Sequence, residues 1–179
     1  MISKAVVLVS ITVIAVSLYA IFMPYFEEER VAEKIIEQPV NIQEVEIDKI
    51  TIKYGGRTFN LDPDSQEAQK LLSYVQQILP QLRVESGNLS AFMSDEDVER
   101  LMRNSSYVLV VLEEEKPISF GELTYPCRRL VVFLDGRAAG MLGVQPAGGA
   151  MQQIEPKWEM GAIPEESFSE FRNLVEEVS

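Results

Sequence analysis

Histidine is absent from this sequence of 179 residues, cysteine occurs once, and basic side chains are scarce, with 16 Lys and Arg against 28 Asp and Glu. The missing imidazole excludes a Ser-His-Asp or Cys-His nucleophile system, an HExxH metalloprotease, and any histidine-ligated zinc or haem site on this chain. A lone thiol, Cys127, excludes an intramolecular disulfide. The formal charge of −12 argues against nucleic acid as a partner, because phosphate binding needs clustered Lys and Arg. Internal repeats and low-complexity tracts are also lacking. No G-x-G-x-x-G occurs, and no Lys, Ser or Thr follows the one glycine-rich stretch at P-loop spacing, so neither nucleotide nor any other cofactor is expected. What is present is the composition of a folded domain, 46% hydrophobic and 25% charged.

The charge is unevenly placed. Only Lys4 carries a side-chain charge before Glu27, so residues 5–26 form an uncharged, mostly apolar run. As a helix it spans about 33 Å, against a hydrocarbon core of about 30 Å. Its apolar residues surround the helical wheel, as suits a lipid-facing helix, and Tyr19, Tyr25 and Phe26 fall toward one end, where aromatic rings prefer the headgroup zone. The expectation is a short head, residues 1–4, a transmembrane signal anchor, residues 5–26, and an acidic stalk, residues 27–41. The domain, residues 42–179, then lies on the extracytoplasmic side of the cell membrane. A cleaved signal peptide shares the same signature and gives a secreted domain, but a small-residue cleavage pattern is poorly placed. The stalk has too few apolar positions for a sustained coiled coil, so it reads as a spacer.

The remainder predicts one α+β domain, with a mixed or antiparallel sheet and about three helices packed on one face. Val45, Ile47, Ile50, Ile52 and Tyr54 nearly alternate, with a phase slip at Asp48-Lys49 that predicts a bulged strand. Gly55-Gly56 supplies a hairpin turn and sets Tyr54 opposite Arg57, Ile52 opposite Phe59 and Ile50 opposite Leu61. Asp62-Pro63 predicts the start of a helix bearing Ala68, Leu71, Leu72, Val75, Ile78 and Leu79 on one stripe and ending near Pro80. Ser94-Asp95-Glu96-Asp97 resembles a capping box opening a second helix that stops at Asn104. Strands are expected at Tyr107–Leu112, closed by Glu113–Glu115, and at Ile118–Tyr125 and Arg129–Leu134. Asp135-Gly136 then turns the chain back through Ala138 to Val144, and a last strand runs around Met151–Met160. Pro164-Glu165-Glu166 opens a C-terminal helix with Phe168, Phe171, Leu174, Val175 and Val178 inward.

Chemistry is thinly signalled. Arg128 and Arg129 beside Cys127 could activate the thiol, although a small apolar residue near a strand start explains Cys127 as well. Asn60, Asp62, Asp64 and Glu67 resemble a calcium loop, yet Ser65 stands where Gly is required and Leu71 where Glu is required, so no metal is expected. The loop 145–150 is the first place to look for a protein or small-molecule partner, with Gln145, Gly148 and Gly149 as contacts and Arg137, Trp158 and Tyr125 as residues the fold could bring beside them. Carboxylate pairs abound and so discriminate little. The functional expectation is a single-pass, membrane-anchored binding, sensing or assembly domain without catalysis. The alternative is an anchored hydrolase using carboxylates or Cys127.

Overall fold

Gly55 and Gly56, both at positive φ (57° and 78°), close a two-residue turn between strands β1 (Ile47–Tyr54) and β2 (Arg57–Leu61). The register is the expected one, with Tyr54 opposite Arg57, Ile52 opposite Phe59 and Ile50 opposite Leu61, and β1 slips by a residue between Ile47 and Lys49. These elements belong to a computed structural model that describes residues 38–83, 92–145 and 157–179. The segments 1–37, 84–91 and 146–156 are outside the described residues, and with them the whole of the expected anchor, most of the stalk and most of the glycine-rich loop.

Gln38–Ser179 form one unit, an α+β fold whose described residues contain a single antiparallel sheet of seven strands with three α-helices. The helices are α1 (Gln66–Ile78), α2 (Asp95–Asn104) and α3 (Glu165–Val178). The other strands are β3 (Phe92–Ser94), β4 (Tyr107–Phe120), β5 (Leu123–Phe133), β6 (Met141–Gln145) and β7 (Lys157–Ala162), giving the order β2-β1-β4-β5-β6-β7-β3. Packing against the domain starts ahead of the expected boundary at residue 42, since the Val40 N–H donates to the Pro117 carbonyl at 2.8 Å.

The helices do not share one face. Along β5, Leu130 and Val132 enter the larger core with α1 residues Leu71, Leu72 and Val75 and α3 residues Phe171, Leu174 and Val175. The alternating residues Val131 and Phe133 point the other way and join Val98 of α2, Trp158 and Met160 in a smaller cluster. The period-2 alternation of strand side chains thus separates two cores. α2 covers the second face with Val98, Leu101 and Met102, a short apolar stripe that builds a thinner layer than the larger core.

Helix starts follow capping chemistry with one change. Ser65, not Asp62, caps α1, accepting from the Ala68 N–H at 3.1 Å, while Asp62 accepts from the Asp64 N–H in a local turn that precedes the helix. Proline at 63 therefore belongs to that turn. At α2 the expected cap forms, Ser94 Oγ accepting from the Asp97 N–H at 3.2 Å, while the Asp97 carboxylate accepts from the Ser94 hydroxyl at 2.8 Å.

Two strand expectations are corrected. Glu113–Glu115 do not close β4, which continues to Phe120, and they lie exposed where its register with β5 shifts between Val111 and Lys116. Charges can remain inside a strand when the irregularity turns them to solvent. Ile118–Tyr125 is not one strand but the tip of the β4–β5 hairpin, turning at Gly121-Glu122, where the Gly121 N–H donates to the Leu79 carbonyl at 2.8 Å. Among the described residues no helix is long and apolar enough to cross a membrane.

Candidate functional site

The face that carries α2 gathers Arg129, Gln145 and Trp158 beside the methionines of the smaller cluster. Alternation on β5, β6 and β7 sends Arg129, Gln145 and Trp158 to this face, and α2 begins above them with Asp95. The Trp158 indole N–H donates to Asp95 Oδ1 at 2.7 Å, and the Gln145 amide donates to the same oxygen at 2.6 Å. Arg129 Nη1 donates to Gln145 Oε1 at 3.2 Å while its guanidinium lies 5.3 Å from the Trp158 ring centroid. A cation over an indole face adds electrostatic attraction to the hydrogen bonds. Trp158 is 1% exposed, so a missing partner for its N–H would leave a buried donor unsatisfied.

The other end of α2 is held by Lys53 of β1, whose ammonium donates to the carbonyls of Met102 and Arg103 at 2.9 and 2.7 Å. Helix-terminal carbonyls lack intrahelical partners and attract cations. Asp135 fixes the chain just beyond, accepting from both the N–H and the hydroxyl of Ser106 at 2.7 and 2.6 Å. Asp95, Lys53 and Asp135 thus tie α2 to the sheet.

Beside this network is an open groove of about 400 Å³ lined by Met93, Leu101, Arg137, Ala138, Met141 and Met160. Gly143 makes room for the side chains packed over β6: a Cβ there would fall 2.6 Å from Met160 Sδ and 3.2 Å from both the Trp158 ring and Val131. All four methionines of the described residues, Met93, Met102, Met141 and Met160, belong to the α2-side cluster, and the larger core contains none.

Of the residues expected to share a site, Gln145 and Trp158 are brought together, through Asp95. Arg137 lies on the same side but beyond the opposite end of β6, in the short 3-10 turn Gly136–Ala138, where it lines the groove. Tyr125 is not part of this arrangement. It packs against the larger core, edge to face with Phe120, and its hydroxyl donates to Glu159 Oε1 at 2.6 Å. Glu159 is 4% exposed, and burial holds its carboxyl above the ordinary range; burial and the Glu159 bond raise the Tyr125 hydroxyl likewise. Gly148 and Gly149 lie outside the described residues. Asp95 was legible only as a member of a capping box, and Arg129 only as a neighbour of Cys127.

Cys127 is fully buried, and burial pushes its thiol up to about 12. Its S–H donates to the Arg129 carbonyl at 3.2 Å, while the Arg129 guanidinium is on the opposite face with Trp158. The neighbouring cation therefore does not activate the thiol, and the apolar reading of Cys127 fits the structure. Asn60 of the calcium-like stretch is engaged by Thr51 Oγ1 at 2.9 Å, and among the described residues no group of three or more Cys, Asp or Glu is placed to hold a metal. A second recess, bounded by Glu44, Glu46, Glu114 and Lys116, is acidic, and the Glu46 carboxylate beside Glu113 raises the Glu113 carboxyl.

The tuned groups favour their neutral forms, and the methionine groove offers apolar contact beside one guanidinium. Comparison of the chain with protein-family models, curated proteins and solved structures finds no match.

Proposed function

We propose that the chain is a single-pass membrane protein whose residues 5–26 anchor an acidic α+β domain on the extracytoplasmic side, and that this domain is a non-catalytic binding, sensing or assembly module. The observation that carries the binding reading is the concentration of methionines around an open groove on the α2 side. Flexible thioether side chains adapt to varied apolar shapes and are favoured on binding surfaces. A covalent mechanism through Cys127 has no support in a buried thiol held at about 12. The anchor reading is supported by the apolar run of residues 5–26, and the confinement of all 28 acidic residues to the chain after it supports residues 27–41 as a spacer, since an acidic domain is repelled from anionic headgroups.

The test is fractionation of cells expressing the full chain with a C-terminal tag. The expected result is a tag that stays with membranes through alkaline carbonate and is digested by protease added outside spheroplasts. A tag recovered in the cytosol, or protected until the membrane is lysed, contradicts the proposal.

A further inference from the structure

The groove beside α2 has the form of a ligand site, and its chemistry narrows the ligand. Its volume of about 400 Å³ falls within the range of about 300–1,000 Å³ usual for small-molecule sites. Met93, Leu101, Ala138, Met141 and Met160 provide apolar walls, three of them thioethers that re-pack around a flexible chain. Among the described residues Arg137 is the one charged member of the lining; it is exposed and forms no ion pair with any of them. A guanidinium presents a planar fork of donors that matches a carboxylate. On a chain of net charge −12, a long apolar body is needed to hold an anion that the general field repels, which disfavours small polyanions.

We infer that this groove binds an aliphatic carboxylate, with the alkyl chain along Met93, Leu101, Met141 and Met160 and the carboxylate on Arg137. Three thioethers could instead attract a soft cation such as Cu(I), but the Arg137 charge opposes a cation at the same mouth. The inference rests on the proposed binding role of the α2 side and is independent of the anchor and its orientation. Each methylene that enters the groove contributes roughly fourfold in affinity until the groove is filled.

The experiment is photolabelling of the full chain in phosphatidylcholine vesicles with a diazirine-tagged dodecanoate, followed by mapping of the labelled peptides. Label is expected on peptides carrying Met93, Leu101, Met141 and Met160, with dodecanol competing roughly tenfold more weakly than dodecanoate. Arg137→Gln is expected to lower this label roughly tenfold, the loss of about one charge-assisted bond. Leu101→Trp, which fills the groove, is expected to abolish it while the thermal melt is retained. Equal competition by dodecanol overturns carboxylate recognition. Label confined to residues 5–26, or indifferent to both substitutions, overturns the site. Displacement by silver(I) but not by dodecanoate assigns the thioethers to a soft cation and overturns the proposal. A domain found on the cytoplasmic side would fail the anchor reading while leaving these results unchanged.

Discussion

The Trp158 indole and the Asp95 carboxylate, 63 residues apart in the chain, meet at 2.7 Å and join β7 of the sheet to the first turn of α2. Asp95 also receives Gln145, so one side chain satisfies two partly buried donors. Asp95→Ala is expected to destabilise the domain by about 2–3 kcal/mol, because both donors lose a charged acceptor. Asp95→Asn, which keeps an acceptor oxygen, is expected to cost less. Chemical denaturation of the two variants gives the ordering, and equal stability of wild type and Asp95→Ala would contradict the role of the network.

At the opposite end of α2, Lys53→Met removes the donor to the Met102 and Arg103 carbonyls. The expected loss is about 1 kcal/mol, with faster hydrogen exchange confined to the last turn of α2. Faster exchange spread equally through α1 and α3 would show that Lys53 acts on the whole domain and not on that helix end.

Gly143→Ala is a steric test of the α2-side packing. The Met160 sulfur can swing away from a new Cβ, but the Trp158 ring and Val131, each 3.2 Å from it, are fixed in the cluster. Overpacking of this kind is expected to cost about 1–3 kcal/mol. A thermal melt indistinguishable from wild type would mean that the cluster is looser than described.

The hairpin register was legible in the sequence because a two-residue turn and alternating apolar residues fix it locally, as Ile52 opposite Phe59 shows. The stripe from Ala68 to Leu79 was equally legible, since its spacing alone defines a buried face. Local chemistry misled at Asp62, where a carboxylate before proline imitates a helix cap while Ser65, three residues later, performs the capping. Ser65→Ala is therefore expected to cost about 1 kcal/mol, and Asp62→Ala less. The reverse order would restore Asp62 as the cap.

The side of the sheet chosen by α2 was not legible. Val98, Leu101 and Met102 state that the helix has an apolar stripe but not which face receives it, and that choice depends on the distant Trp158 and Lys53. The candidate site was half visible for the same reason. Gln145, Trp158 and Arg137 stood out as residue types, whereas Tyr125 joined them only in the sequence, since the alternation of Trp158 and Glu159 on β7 sends their partners to opposite faces.

The pH dependence has a definite sign. Burial raises the Glu159 carboxyl in the folded chain, and the neighbouring Glu46 carboxylate raises that of Glu113. Between the ordinary carboxylate range and these raised values the folded state holds more protons than the unfolded state, so stability falls as pH rises through that window. Melting temperatures are expected to be higher just below the raised values than at neutral pH, and the slope is expected to flatten in Glu159→Gln combined with Glu113→Gln. An unchanged slope in the double variant would assign the pH dependence to other groups.

Hydrogen exchange of the full chain in phosphatidylcholine vesicles, with and without saturating dodecanoate, tests the assignment of the α2-side groove most directly. The predicted result is slower exchange in α2, in the turn Gly136–Ala138 and in β6 and β7, with α1 and α3 unchanged. Slowing confined to α1 and α3, or no change at saturation, would contradict it.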